Sequence, residues 1–313
     1  MNDLRIVSFL PSATEMVCAL GLQDQLVGIT HECDYPPEIS SKTVVVRPSI
    51  ALERMSLREI DANVSARLRN GQSLYAVDEK LLRDLAPTLI LTQDLCQVCA
   101  PSGNEITQAL KVLRPTPRIL WFTPKTLVGI EENLRELGLV TCRLQRAEAV
   151  IQSGRERLER VATLTRATPV RPRVFCMEWV DPVYCSGHWV PEMVDLAGGI
   201  DVVSRRGADS VRVAWREVLD WAPEVLVVSP CGFNLASATQ QALQLVQFEG
   251  WAELPATRKN RVYAVDANSF FARPGPRVID GVELLAHLIH PELCAWSGSN
   301  NAFKNITSVA ALD

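Results

Sequence analysis

The sequence predicts an α/β protein with two Rossmann-like lobes, each built on a parallel sheet and joined by a single long helix. In residues 144–165, apolar side chains recur at steps of three and four, and charged side chains fall off that stripe, as in an amphipathic helix. On both sides of this segment, short apolar runs typical of buried strands alternate with helical runs. Segments 85–92 and 221–228 both read as a helix end, an Ala-Pro pair and a buried strand, which supports two lobes of similar plan.

The predicted elements give an N-terminal lobe (1–142), a connecting helix (143–167), a C-terminal lobe (168–296) and a flexible tail (297–313). In the first lobe, Ser12 and Glu15 form a capping box after the first strand. Its predicted strands are 5–10, 26–29, 43–46, 88–92 and 118–122, and its main helices are 12–21, 56–68, 79–85 and 127–137. The second lobe has predicted strands 173–179, 224–228 and 262–265, and helices 191–196, 216–221 and 277–288.

The composition is that of an ordinary globular protein and argues against several functions. Of the 313 residues, 47% are hydrophobic and 22% charged, and the net charge of -4 provides no basic surface for nucleic acid. No apolar run reaches the roughly 18 residues of a membrane span. Pro11 and Glu15 interrupt the first apolar segment, which makes it a poor signal-peptide core. We therefore expect a cytoplasmic protein, or a periplasmic one if a leader was removed.

The nine cysteines are odd in number and scattered, which favours reduced thiols or metal ligands over a disulfide framework. Cys96 and Cys99 have a spacing suited to one metal ion or to a redox disulfide. Zinc or an iron–sulfur cluster needs about four ligands, and His31 and Cys33 in a neighbouring loop would complete the set. The alternative is that these cysteines are ordinary buried thiols.

Open parallel sheets bind ligands at the carboxyl ends of their strands. In the first lobe the loops at those ends are 11–15, 30–37, 93–104 and 122–126, and in the second they are 180–191, 229–234 and 267–277. His31 and Glu32 directly follow a strand, so they are suited either to hold a ligand or to stabilise their own loop.

Two loops of the second lobe carry further candidates. His188 and Trp189 precede a helix that begins at Pro191, where backbone N–H groups can meet an anionic or amide-rich ligand; the alternative is helix capping. Phe270, Phe271 and Arg273 lie in a proline-rich loop and would close over a ligand, unless the aromatic ring packs in the core and the cation bonds carbonyls. We find no phosphate loop, zinc-binding histidine pair or nucleophile elbow, so we do not predict an enzyme.

Several motifs resemble the periplasmic cobalamin-binding proteins, which belong to the helical-backbone class of ABC transporter substrate-binding proteins. The resemblance covers roughly residues 5–290. The matching segments are Ile6-Val7-Ser8-Phe9-Leu10-Pro11-Ser12-Ala13-Thr14-Glu15, Gly21-Leu22, Val27-Gly28-Ile29-Thr30, Asp34-Tyr35-Pro36-Pro37, Ser186-Gly187, Gly198-Gly199, Glu217-Val218-Leu219 with Pro223, and Arg273 with Pro276-Arg277.

The resemblance implies a ligand held in a cleft between two lobes, little hinge motion, and docking on a membrane permease through acidic residues. Relatives of this class bind corrinoids, haem or ferric siderophores. Gln93 stands where such proteins would have a cleft tryptophan, and Glu32 where a tyrosine is common. The ligand-binding residues expected here are Ser12, His31, Glu32, Gln93, Asp94, Tyr184, His188, Trp189, Phe270, Phe271 and Arg273.

We therefore predict a monomeric protein that binds a corrinoid or related metal chelate, as a transporter component or as a cytosolic relative. The expected partners are this small molecule and an ABC permease, without nucleic acid and without insertion into a membrane. No cofactor is required, apart from a bound corrinoid or a zinc or iron–sulfur centre at the cysteines. The alternatives are a cytosolic metal or iron–sulfur protein and an enzyme that uses the same scaffold.

Overall fold

The structure is a computed structural model and describes residues 4–50, 55–70, 72–93 and 113–307. The chain divides into two compact units. Unit 1 contains Met1–Pro124 and Val128–Ile151, and unit 2 contains Lys125–Leu127 and Gln152–Asp313. The short segment 125–127 groups with unit 2, where the Leu127 N–H donates to the buried carboxylate of Glu192 at 2.6 Å.

Unit 1 contains a six-stranded sheet in its described residues, with strand order β4-β3-β2-β1-β5-β6. Its strands are β1 (Ile6–Ser8), β2 (Leu26–Thr30), β3 (Thr43–Pro48), β4 (Tyr75–Val77), β5 (Leu89–Thr92) and β6 (Arg118–Trp121). Its helices are α1 (Pro11–Ala19), α2 (Leu57–Arg69), α3 (Glu79–Leu85) and α4 (Leu127–Val140), with a short 3₁₀ turn at Pro37–Ser41. All strand pairs are parallel except β3 with β4.

The central strands β1, β2 and β5 are mostly apolar and almost fully buried because helices cover a parallel sheet on both faces. One cluster in its core contains Val7, Phe9, Val45, Leu82 and Ile90, all buried. This alternation of apolar strand and helix is the pattern that predicted the fold class, and the α/β prediction is confirmed for this unit.

The long helix α5 spans Leu144–Arg166, close to the predicted 144–165, and the division between the units falls within it, after Ile151. Its first part packs in unit 1, where Gly138 lets α4 approach it closely. A Cβ on Gly138 would lie only 2.7 Å from the Cβ of Ala147. Its second part packs in unit 2, where the Thr165 hydroxyl donates to Leu196 O at 3.1 Å. The first part of the apolar stripe seen in the sequence therefore packs in unit 1, and its second part packs in unit 2.

Unit 2 contains a five-stranded sheet in its described residues, with order β11-β10-β9-β7-β8. Its strands are β7 (Val174–Trp179), β8 (Tyr184–Cys185), β9 (Val225–Val228), β10 (Val262–Val265) and β11 (Phe303–Asn305). Its helices are α6 (Val190–Leu196), α7 (Trp215–Trp221), α8 (Leu235–Leu243), α9 (Pro255–Arg258), α10 (Ala267–Phe270) and α11 (Val278–Ile289), with 3₁₀ turns at Gln244–Gln247 and Trp251–Glu253.

The predicted parallel sheets are present, and at their edges β4, β8 and β11 each pair antiparallel with a neighbour. Only residues 180–183 separate β7 from β8, and a connection of that length allows only an antiparallel return. These three edge strands were not predicted, because strands of two or three residues leave almost no periodic pattern.

The prediction of a flexible tail from residue 297 is wrong for the residues up to Thr307 that the structure describes. β11 pairs with β10, and Ala302 and Ile306 beside it are fully buried. The Ile306 N–H also donates to Val262 O at 2.9 Å. The few apolar residues of this polar segment were enough to add a strand to an existing sheet edge. Within the described ranges, no helix has both the length and the apolarity that crossing a membrane demands.

We expect the substitution Arg157→Ala to destabilise unit 2, because this side chain joins α5 to α11. Its guanidinium donates to Glu283 at 2.6 and 2.9 Å and to the carboxylate of Asp280, and all three side chains are about two-thirds buried. Loss of these charge-assisted bonds should lower the free energy of unfolding by about 1–2 kcal/mol, measured by urea denaturation. Arg160→Ala, on the exposed face of the same helix, is the control and should change it by less than about 0.5 kcal/mol. Equal losses for the two variants would contradict this role.

Candidate functional site

The carboxyl ends of β1, β2, β3, β5 and β6 lie on one side of unit 1, which we call the first carboxyl edge, because these strands are parallel. Buried polar side chains collect there. They are Ser8, Ser12, Thr14, Thr30, Thr92 and Gln93. Such groups need hydrogen bonds to offset their burial, and the Ser8 hydroxyl donates to Leu10 O at 2.8 Å. The interior of this edge is therefore polar, as expected where an open sheet meets a ligand.

Two predicted ligand residues of the first lobe, Ser12 and Gln93, lie buried at this edge. Ser12 is the second residue of α1, whose N-cap residue Leu10 provides no side-chain hydrogen bond. The first backbone N–H groups of a helix have no partner within the helix. Gln93 directly follows β5, which is paired with β1. The structure therefore brings these two side chains to the same edge, whereas the predicted ligand residue Asp94 lies outside the described residues.

The loop after β2 places its predicted residues in different surroundings. His31 is exposed, and its ring centroid lies 6.3 Å from that of Tyr75. Glu32 is half-buried, and its N–H donates to the Thr30 hydroxyl at 3.1 Å. Cys33 is buried, with its sulfur 3.1 Å from the hydroxyl oxygen of Thr14.

The predicted metal site is not assembled by the residues described. In residues 4–50, 55–70, 72–93 and 113–307, no group of three or more histidine, cysteine, aspartate or glutamate side chains is placed to hold an ion. Cys96 and Cys99, two of the four predicted ligands, lie outside those ranges. The metal site with His31 and Cys33 therefore stays a prediction.

Two exposed aromatic side chains at the first carboxyl edge were not among the predicted site residues. Trp121 is the last residue of β6 and is 40% exposed, and Tyr35, in the loop after β2, is 44% exposed. Large aromatic side chains normally bury most of their surface, so exposed rings at this edge of a sheet are candidates for ligand contact. Their position at strand ends was visible in the sequence, but their exposure was not.

Unit 2 has an equivalent side, the second carboxyl edge, where the parallel strands β7, β9 and β10 end. The loop 186–189 at this edge is fastened to residues 205–210. The His188 N–H donates to Ala208 O at 2.6 Å, and the Gly207 N–H donates to His188 O at 2.9 Å. Gly187 is required here because a Cβ would lie 2.5 Å from the backbone nitrogen of Ser210. The Ser-Gly pair noted in the sequence is therefore explained by this close backbone approach.

Two ionisable groups at the second carboxyl edge have shifted pKa values. Burial raises the pKa of Glu178 above its ordinary value, and hydrogen bonds from the Ser210 hydroxyl, at 2.5 Å, and from the Gly187 N–H partly oppose that shift. Burial lowers the pKa of His188, although the carboxylate of Asp209, 3.3 Å from its Nε2, partly opposes this change. Both groups therefore have a reduced tendency to carry charge.

The predicted aromatic residues of unit 2 differ in exposure. Trp189 and Phe271 are buried, with 5% and 2% exposure, and the indole N–H of Trp189 donates to Phe271 O at 2.8 Å. Tyr184 is half-buried, and its hydroxyl accepts a hydrogen bond from Arg212 Nε at 2.9 Å. Phe270, also half-buried, makes an edge-to-face contact with Trp296 at 5.9 Å.

The structure thus brings the 188–189 and 270–271 segments together, but it places Trp189 and Phe271 in the core of unit 2. Arg273 is half-buried and has an interaction partner within the protein. The roles predicted for these residues in ligand binding stay predictions. The burial of these aromatic side chains could not be predicted from the sequence.

We expect Trp189→Ala to act on stability, because the side chain is buried and hydrogen-bonded. Removal of a buried tryptophan should lower the free energy of unfolding by about 3–5 kcal/mol, measured by chemical denaturation. Trp121→Ala is the matched control, and its exposed ring should cost less than about 1 kcal/mol. A Trp189→Ala variant as stable as the unmodified protein would show that this ring is not part of the core.

We expect Glu178→Gln to change how stability depends on pH. The ordinary pKa of this group is 4.5, and burial raises it in the folded protein. When the pH rises above 4.5, the carboxyl of the unfolded chain ionises first, so the folded protein loses stability until its own carboxyl ionises. The neutral variant lacks this loss, and it should gain stability relative to the unmodified protein over that range, measured by thermal unfolding at several pH values. The exposed Glu253→Gln control should show no such trend, and a pH-independent difference for Glu178→Gln would contradict the prediction.

Comparison with known proteins agrees with this architecture. The model of a family described as periplasmic binding protein matches residues 6–269. A vitamin B12-binding protein of Vibrio cholerae is 28% identical over 280 residues, which cover 89% of this chain and 86% of that protein. An uncharacterized ABC transporter substrate-binding lipoprotein of Bacillus subtilis is 24% identical over 291 residues, which cover 92% and 80% of the two chains. A crystal structure of a periplasmic heme-binding protein from Pseudomonas aeruginosa aligns with a TM-score of 0.69 at 20% identity, covering 92% of this chain and 93% of that one. Because the family model matches most of the chain, and both sheets fit its two-lobed α/β fold, this protein belongs to the periplasmic binding protein family.

Proposed function

We propose that this protein is the substrate-binding component of an ABC transporter and that its ligand is a corrinoid or a closely related metal macrocycle. The proposal rests on one observation: the ligands for which its relatives are named have similar chemistry. Vitamin B12 and haem are both large, flat rings around a metal ion. A binding role without catalysis is in keeping with the family.

The first carboxyl edge supports such a ligand. Trp121 and Tyr35 offer exposed rings that can pack against the face of a macrocycle, and His31 is an exposed imidazole in the same loop as Tyr35. The buried polar groups at the same edge, including Ser12 and Gln93, suit the amide or carboxylate substituents around such a ring. The interlobe cleft that the resemblance implies for the ligand stays a prediction.

The partner and location follow from the same proposal. Family members and the Bacillus subtilis relative belong to ABC transport systems, so we propose an ABC permease as the partner of this chain. The family also favours a place outside the cytoplasmic membrane, periplasmic or lipid-anchored, over the cytoplasmic location expected from the first residues.

The test is a titration of the purified protein with cyanocobalamin, cobinamide and haemin, followed by calorimetry and visible absorption. We expect one of these ligands to bind with 1:1 stoichiometry. Trp121→Ala and Tyr35→Ala should each weaken that binding about ten-fold or more, because an aromatic face buried on a ring contributes roughly 1.5–3 kcal/mol.

Val170→Ala removes an exposed apolar side chain from the segment between α5 and β7, and it serves as the control with unchanged affinity. The absence of both heat and spectral change with all three ligands would exclude the proposed ligand class. Binding that persists unchanged in both aromatic variants would instead exclude the first carboxyl edge as its site.

A further inference from the structure

Helix α1 and the loop after β2 hold two cysteine side chains on facing surfaces of unit 1. Cys33 is 6% exposed, and its sulfur lies 3.1 Å from Thr14 Oγ1 on α1 and 3.5 Å from Thr30 Oγ1 at the end of β2. The contact with Thr14 places this sulfur directly against one face of the helix.

Cys18 lies on that same face of α1, one helical turn after Thr14. Side chains four residues apart in a helix have Cβ atoms about 5–6 Å from each other, and the Cα–Cβ bonds lean towards the N-terminus. The Cys18 side chain therefore leans towards Thr14 and towards the sulfur of Cys33. Cys18 is only half-buried, so a small reagent can reach it.

The electrostatics of the pair agree with this proximity. Burial, followed by the neighbouring charges of Glu15 and of a Cys33 thiolate, raises the pKa of Cys18 to about 11. The influence of Cys33 on this pKa agrees with the proximity that the Thr14 contact gives the two thiols. The raised pKa also means that the Cys18 thiol is protonated at neutral pH and reacts faster as the pH rises.

We propose that Cys18 and Cys33 form an intramolecular disulfide when the protein meets a thiol-oxidising partner of the disulfide class. The Cys18 thiolate attacks the oxidant disulfide and releases one thiol, and the Cys33 thiolate then attacks the mixed disulfide and releases the second. The two cysteines thus lose two protons and two electrons, and the oxidant disulfide is reduced to two thiols. Proteins exported from the cytoplasm meet such oxidants. The disulfide proposal rests on the proposed function only for this location outside the cytoplasm.

The consequence of this bond concerns the loop that carries the exposed binding candidates. A link from α1 to Cys33 would fasten the segment that contains His31, Glu32 and Tyr35 to the start of the unit 1 fold. The bond closes a loop from residue 18 to residue 33 and reduces the freedom of the unfolded chain. The oxidised protein should therefore melt at a higher temperature than the reduced protein.

The sequence permits an unambiguous test. Lys and Arg are absent between Arg5 and Lys42, so trypsin releases residues 6–42 as one peptide in which Cys18 and Cys33 are the only cysteines. The full chain is treated with oxidised glutathione at pH 8, unreacted thiols are blocked with N-ethylmaleimide, and the digest is analysed by mass spectrometry without reduction. We expect this peptide without blocked thiols and lighter by two hydrogen atoms. Further cleavage after its glutamates should leave fragments 16–32 and 33–38 linked.

Cys18→Ser and Cys33→Ser should each abolish the linked peptide, whereas Cys142→Ser, at an exposed cysteine, should leave it unchanged. Cys18→Ser changes a half-buried position and tests the proposal even if Cys33→Ser folds poorly. Because the readout contains no ligand, it is independent of the outcome of the macrocycle titration. Oxidation of the exposed Cys142 shows that the oxidant has acted. If peptide 6–42 then still carries two blocked thiols, the proposal is overturned. Equal melting temperatures of the oxidised and reduced protein would also overturn it.

Discussion

Parallel pairing of the strands is the constraint on which both units depend. Each parallel pair requires a crossover connection, and helices such as α1 supply it while they cover the faces of the sheet. The strands must then be apolar on both sides, which makes them recognisable in the sequence. The same constraint gathers all carboxyl ends on one side, so residues distant in the chain, such as Ser12 and Gln93, become neighbours of one edge.

In this arrangement, the residues that stabilise each unit differ from the residues in the loops at its carboxyl edge. The apolar strands and helices supply the core, while the loops at the carboxyl edges are free to hold polar and aromatic groups. The first carboxyl edge contains both buried hydroxyl groups and the exposed rings of Tyr35 and Trp121. At the second, backbone hydrogen bonds fasten loop 186–189 to residues 205–210, and Glu178 and His188 lie where burial weakens their charges.

The aromatic residues also differ in exposure. Buried rings stabilise the fold, and exposed rings are available for contact with other molecules. Trp189 and Phe271 come from different segments but pack together in unit 2 through one hydrogen bond. A ring in this situation supports the loop that carries it. The rings of Tyr35 and Trp121 are instead partly exposed, so their surface is available for contact. The same distinction between buried and exposed aromatic residues would apply to relatives that bind corrinoids or haem.

The α/β class, the family resemblance and the extent of α5 could be predicted from the sequence, because long periodic segments and buried apolar strands leave a strong local pattern. Three other features became visible only in the folded protein. β4, β8 and β11 complete the sheets, Trp189 is buried while Trp121 is exposed, and Cys33 lies against the helix carrying Cys18. These features depend on the packing of side chains far apart in the chain, and periodicity along the chain contains no information about such contacts.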